Sequence, residues 1–145
     1  VSERDFAGEA GRAGADGRVN DRHERGTARI AALDGASTAR SEAYALLAEI
    51  APDLPRYAVE FAYGDIHSRP GLDAARRELV TLGVLIALGD CAPQLAAHLH
   101  SGLNAGLQPG EVVEAVMQVL PYAGFPRVVN AMLVARRVFG ERGLL

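Results

Sequence analysis

The chain has 145 residues, 49% of them hydrophobic, and a formal net charge of -3 at pH 7. That length is one domain's worth with enough apolar content for a real core. The acidic balance argues against nucleic acid as the main partner, since there is no basic surplus to neutralise phosphate.

Residues 1–20 carry Gly8, Gly11, Gly14 and Gly17 among small and charged residues, with Phe6 the one sizeable apolar anchor. Such a segment buries too little surface to offset its ordering entropy, so a flexible arm is expected, with a single domain over residues 21–145. From about Asp21 a helix can run to Asp34 and end at Gly35. Ser37 or Thr38 can cap a second helix carrying Tyr44, Leu46, Leu47 and Ile50. A third, Leu54 to about Ile66, places Tyr57 and Phe61 at helical spacing, followed by the Ser68-Arg69-Pro70-Gly71 loop.

A central pair follows. Its first helix opens at the N-cap Asp73 and stops at Gly89 after Leu88; its second is capped by Asp90, tolerates Pro93 in its first turn and ends near Gly106. So short a connection forces the two helices antiparallel. At about 1.5 Å per residue, Glu78 lies roughly 16 Å back from the turn and His98 about 12 Å out, which brings them level within one turn. Cys91, Gln94 and His98 share a face of the second helix at the edge of the Leu95, Leu99, Leu103 stripe, so a carboxylate, an imidazole and an amide or thiol are expected to converge there. His100 points nearly the opposite way.

Beyond the pair, Gln108-Pro109-Gly110-Glu111 has Pro at a helix's first position and Glu in its first turn. Pro121 kinks or ends that helix, and Pro126 starts a last one through to Gly140. No stretch alternates apolar and polar residues with a period of two. The fold expected is all-α, of roughly seven helices around the central antiparallel hairpin, several of them apolar around most of their circumference. A small domain cannot hide so many two-sided helices alone, and homo-oligomerisation is the natural inference.

The single cysteine, Cys91, excludes an internal disulfide and a cysteine-based structural zinc site. The longest apolar run, Leu79 to Leu88, is interrupted by Thr81 and Gly83 and is too short to span a bilayer. With no signal-type apolar core near the start, a soluble cytoplasmic protein is expected, with no membrane partner.

The run from Phe61 to Phe139, with FAYGDIHSRPGLDAARRELVTLGVLIALG and then QLAAHLHSGLNAGLQPGEVVEAVMQVLPYAGFPRVVNA, resembles the carboxymuconolactone decarboxylase family. The ordered set of RPGL, REL, the histidine helix, the N-x-G turn and YxGxP carries the likeness. The resemblance implies an alkylhydroperoxidase D-like all-α fold, assembled as homotrimers or as homohexamers of dimers, with sites near subunit contacts. It also implies one of two chemistries: cofactor-free removal of CO2 from a lactone acid, or peroxide reduction by a Cys-x-x-Cys pair with a histidine four residues on and a glutamate in the preceding helix. Glu78, Cys91 and His98 match that second pattern, but Gln94 stands at the second cysteine, and no resolving thiol exists. His67 departs from the aromatic residue that the decarboxylases often carry there.

Decarboxylation leaves an enolate, so a site needs donors for oxyanions, a dry setting and an acid to return a proton to carbon. His98 is the candidate acid and Glu78 its partner. Arg69 is the candidate carboxylate clamp. His67 could lend a second donor, Gln94 an amide and Tyr122 a phenol, whereas Tyr63 reads as a core aromatic. Cys91 at a helix N-terminus is the one redox candidate, though it reads more readily as packing. His98 and His100, two apart on a helix, diverge, so neither a metal nor any other cofactor is expected. The leading expectation is a decarboxylase-like lyase taking a small carboxylated lactone or enolisable acid. The alternatives are an enolate-type isomerase or cyclase, a thiol peroxidase using Cys91, and a non-catalytic ligand-binding oligomer.

Overall fold

A computed structural model describes residues 17–145, with side chains from Asp21 onward. Among the described residues every regular element is helical: α1 (Gly17–Asp34), α2 (Ala39–Ala48), α3 (Asp53–Tyr57), a π-helix (Ala58–His67), α4 (Ala74–Leu88), α5 (Ala92–Asn104), α6 (Pro109–Gln118), α7 (Leu120–Ala123) and α8 (Phe125–Glu141). The arm expected over 1–20 lies outside the described residues as far as 16, and α1 is already under way at Gly17.

Local chemistry sets most of these boundaries. Asp73 caps α4 by accepting from the Arg76 amide at 2.8 Å. The helix ends where Gly89 takes φ 70°, a conformation open to glycine, and the Arg127 guanidinium donates to the exposed carbonyl of Leu88. Glu111 reaches back to the Gln108 amide at 2.8 Å to open α6. Pro121 and Pro126 fall in the first turns of α7 and α8, where a missing N–H costs nothing.

Two expected boundaries are corrected. Asp90 does not cap α5: it sits at φ 55° inside the turn, and the N-cap is Cys91, which makes no side-chain cap bond. The expected third helix, Leu54 to Ile66, is a short α-turn that widens after Tyr57 into the π-helix, wound with i to i+5 hydrogen bonds. The wider winding coincides with a very close crossing. α1 lies against the π-helix so tightly that a Cβ on Gly26 would stand 2.0 Å from the Val59 carbonyl oxygen, and one on Gly64 would stand 2.4 Å from that of Arg22. Arg22 holds the same crossing through Asp65, at 2.9 and 2.6 Å. At the far end the Ser68 hydroxyl donates to the Tyr63 carbonyl at 2.6 Å, satisfying one of the last backbone acceptors.

The core lies between α4, α5, α6 and α8, where Leu82, Ile86, Leu95, Leu99, Val112, Val116, Val138 and Phe139 pack together. A fully buried leucine such as Leu82 or Leu99 contributes about 1.5–3 kcal/mol of burial. α1 and the π-helix form a second layer that meets this core through α5. No helix of the described residues is long and apolar enough to cross a membrane.

The α1 crossing yields a stability test. Gly26→Ala should cost about 1–3 kcal/mol in urea unfolding, because backbone must move to admit the methyl group. Gly110→Ala, with nothing within 4 Å of its Cβ, should be neutral or gain about 0.5 kcal/mol. Equal stability of the two variants would contradict the tight crossing.

Candidate functional site

The site forms where α4, α5 and the π-helix meet. Glu78, one turn into α4, is 0% exposed. Its Oε2 accepts from His98 Nδ1 on α5 at 2.8 Å, and its Oε1 accepts from His67 Nε2 at the end of the π-helix at 3.0 Å. Gly102, one turn beyond His98, lets α5 come this near: a Cβ there would stand 3.6 Å from the Glu78 Cβ and 2.9 Å from Leu107 Cδ1.

Burial alone would raise the Glu78 carboxyl, but the hydrogen bonds and charges of the two imidazoles outweigh it and hold the group below the usual carboxylate range. Glu78 is therefore ionised near neutrality and can only accept. Each facing ring nitrogen must then carry the proton, which fixes both tautomers by geometry. His98 keeps Nε2 for other work. His67 keeps Nδ1, a buried nitrogen with no partner among the described residues.

Both rings line a cavity of about 430 Å³, walled otherwise by Phe61, Ala62, Tyr63, Ile66, Leu72, Arg77, Val80 and Thr81. Most of that wall is apolar. Its one permanent cation is Arg77, braced by the carbonyls of Leu72 at 3.1 Å and Arg69 at 2.7 Å. Behind Tyr63 the structure is polar again. Arg40 donates to the Tyr63 hydroxyl and pairs with Asp34 at 2.9 Å, and the buried phenol is pushed up to about 12, chiefly by desolvation.

Glu78, His98 and His67 are thus brought together, while the other sequence candidates stand elsewhere. The amide or thiol expected beside His98 is not there, because Gln94 and Cys91 sit near the start of α5, toward the turn and away from Glu78. Gln94 is exposed, and Cys91 donates its S–H to the Leu85 carbonyl at 3.2 Å and lines a separate cavity of about 660 Å³. Arg69 is exposed and offers the site its backbone carbonyl as a brace rather than its guanidinium. Tyr122, on α7, is 84% exposed and does not line the cavity. Sequence reasoning passed over Arg77 and Thr81. Their signal was present, since Arg77 adjoins Glu78 and Thr81 follows it by one helical turn, where its hydroxyl bonds the Arg77 carbonyl at 3.0 Å. Among the described residues no group of three or more His, Cys, Asp and Glu side chains is arranged to hold a metal ion.

Residues 52–137, which include every residue of this cavity, match the model of the carboxymuconolactone decarboxylase family. The chain belongs to that family. It is 38% identical over 92 residues to the 4-carboxymuconolactone decarboxylase of Acinetobacter baylyi, an overlap spanning 63% of this chain and 68% of that protein. A nitrosuccinic acid decarboxylase of Metarhizium robertsii is 34% identical over 82 residues, 57% of each chain. An uncharacterized 15.0 kDa protein of Paracoccus denitrificans is 32% identical over 94 residues, 64% of this chain and 70% of that one. Within the carboxymuconolactone decarboxylase family this chain, with its single cysteine, lacks the Cys-x-x-Cys pair.

The depressed Glu78 carboxyl has a signed consequence for stability. Its folded value lies below its unfolded one, so its contribution is present above the ordinary carboxylate range and is lost as pH falls through the lowered folded value. Glu78→Gln should cost about 1–3 kcal/mol in urea unfolding at pH 7, since one imidazole loses a matched acceptor. The variant should also show a flatter loss of stability toward acid than the unsubstituted chain. Coincident curves from pH 7 to pH 3 would mean that the buried carboxylate contributes nothing.

Proposed function

We propose that this chain is a cofactor-independent lyase that removes CO2 from a small carboxylated lactone or a related enolisable acid, with His98 as proton donor and Glu78 as its partner. The observation that carries the reading is the Glu78 carboxylate, fully buried and shared by two imidazoles beside an apolar cavity with one cation in its wall. Two of the relatives described above are named as decarboxylases, one of 4-carboxymuconolactone and one of nitrosuccinic acid, which supports the reaction class.

In this reading the substrate carboxylate enters past Arg77, whose guanidinium is held by two backbone carbonyls and keeps N–H groups free to steer an anion. The carbon–carbon bond to the carboxyl group breaks, CO2 leaves, and the bonding pair remains on carbon, delocalised onto the neighbouring carbonyl as an enolate. Phe61, Ile66, Leu72 and Val80 keep the surroundings apolar, which favours a dispersed charge over a localised one. His98 then delivers the Nε2 proton to carbon. Glu78 stabilises the imidazolium beforehand and holds the tautomer throughout by accepting from Nδ1. The His98 side chain is 17% exposed, enough to recover the proton from water.

Self-association as a homotrimer or homohexamer is part of the same proposal. Val80, Val84 and Leu88 on α4 and Phe125, Val129 and Leu133 on α8 are exposed at one-turn intervals, two apolar stripes of the kind that a subunit contact covers. Val80 also belongs to the cavity wall, so one of the stripes runs into the site.

Carbon dioxide release from a panel of lactone acids and β-keto acids tests the chemistry. His98→Ala should lower turnover by about 10²–10⁴-fold, while Cys91→Ala leaves it unchanged. Arg77→Leu should raise KM more than it lowers kcat. The opposite ranking of His98→Ala and Cys91→Ala would select thiol chemistry instead. Light scattering on the eluting protein tests assembly: a mass of three or six chains is expected, falling toward one chain when Val84→Asp and Leu133→Asp are combined, and a monomeric unsubstituted protein would overturn it.

A further inference from the structure

We infer that Arg40 is a positioning residue of the site: one largely buried guanidinium, supplied by α2, bonds both of the helices that carry the imidazoles and thereby sets where His67 and His98 meet Glu78. The positioning is independent of the reaction proposed above; its effect on turnover rests on that reading.

Oxygen groups from three helices converge on this guanidinium. The carboxylate of Asp34, the last residue of α1, takes Nε and Nη2 side by side, each at 2.9 Å. Nη1 donates to the Tyr63 hydroxyl on the π-helix, and Nη2 also donates to the Ser101 hydroxyl on α5, at 3.4 Å. Tyr63 and Ser101 are both buried, and both stand close to a ring of the site. Tyr63 precedes His67 by four residues, with the ring centroids 5.8 Å apart. Ser101 follows His98 by three, on the same side of α5. The end of α1 is itself tied to α5, where the Asn104 amide donates to the Leu33 carbonyl at 2.8 Å, so Asp34 stands on a fixed base.

Energetics argue against a mere staple between α1 and α2. The Arg40 and Asp34 side chains are 10% and 13% exposed. Taking each ion out of water carries a large penalty that the pairing only roughly offsets, and a well-packed apolar pair in such a place is often as stable or more so. What an apolar side chain does not supply is direction. The guanidinium is planar, with its donors in a rigid fork, so once Asp34 holds two of them the places of the remaining hydroxyls are set. One group thereby fixes the π-helix and α5 relative to each other beside Glu78. It comes from a residue before 52, outside the span that matches the family model.

The test reads the imidazoles directly, by nuclear magnetic resonance of the full chain isotopically labelled at histidine nitrogen. Whatever charge each ring carries, the nitrogen facing the Glu78 carboxylate bears a proton, and a shielded N–H bonded to a carboxylate exchanges slowly enough with water to give a downfield proton signal. His23 and His100, with side chains 52% and 33% exposed, lose theirs to the solvent. Two signals are therefore expected, and His98→Gln assigns them by removing one. Arg40→Met keeps the stem and loses the guanidinium. Tyr63→Phe cuts only the link to the π-helix and Ser101→Ala only the link to α5, and both leave the pair with Asp34 in place should Arg40→Met fail to fold. Val138→Ala, a core truncation outside the cavity, controls for lost stability. Proton exchange should quicken about tenfold for the His67 signal in Tyr63→Phe, for the His98 signal in Ser101→Ala and for both in Arg40→Met, with neither altered in Val138→Ala. On any acid that the unsubstituted protein decarboxylates, Arg40→Met should lower kcat by about ten- to a hundredfold and leave KM within about twofold. Signals that stay unchanged in Tyr63→Phe and Ser101→Ala, or that quicken equally in Val138→Ala, overturn the positioning role, and so does the absence of both signals from the unsubstituted protein. If the signals respond as expected and no acid of the panel releases carbon dioxide, the lyase reading falls and the positioning role stands.

Discussion

A carboxylate with no exposure to water survives only if its charge is met, and at Glu78 two imidazoles meet it, one on each oxygen. Removing an ion from water costs several kcal/mol, roughly the whole margin by which a small domain is stable. The three elements that supply Glu78, His67 and His98 are therefore held in mutual register by one functional group. α4 fixes the carboxylate, α5 approaches it over Gly102, and the π-helix brings its last residue to the remaining oxygen. The arrangement that lowers the Glu78 carboxyl engages one nitrogen of each ring. The hydrogen bonds that hold these three elements are the same ones to which the proposed chemistry is assigned.

The surrounding helices read as support for that junction. α1 presses against the π-helix through Gly26 and Gly64 and grips it with Arg22 and Asp65. Arg40 on α2 ties Asp34 to Tyr63, whose ring centroid lies 5.8 Å from that of His67. These braces come from residues before 52, outside the span that matches the family model. The part of the chain that matches the family model thus carries Glu78, His67 and His98, and a segment outside it packs against the π-helix that ends at His67.

Much of this was readable from residues alone where local chemistry decides the outcome. Asp73, Gly89, Pro109 with Glu111, and Pro126 mark helix ends by rules that need no tertiary context, and the short turn between α4 and α5 makes the meeting of Glu78 with His98 a matter of counting. What escaped was set by packing. The π-winding of residues 58–67 has no periodic signature of its own, and without it the direction of His67 cannot be counted out from Tyr57 or Phe61. Arg69 and Arg77 are both arginines close to the same loop, and only the fold shows that the first lends a carbonyl and the second lines the cavity. Gln94 and Tyr122 share helical spacing or motif with the site residues, yet lie beyond their reach because a shared face does not imply a shared depth.

The π-helix also bears on how such a pocket can diversify. A helix whose hydrogen bonds span one more residue differs from its ordinary counterpart in the number of residues it must accommodate, so insertions and deletions act on it more directly than exchanges of side chain. Loss of a residue between 58 and 67 would swing the imidazole at its end around the axis and put a different side chain beside the carboxylate. Indels in this stretch would therefore change which side chain meets the carboxylate in a single event, leaving the acid on α4 and the ring on α5 untouched.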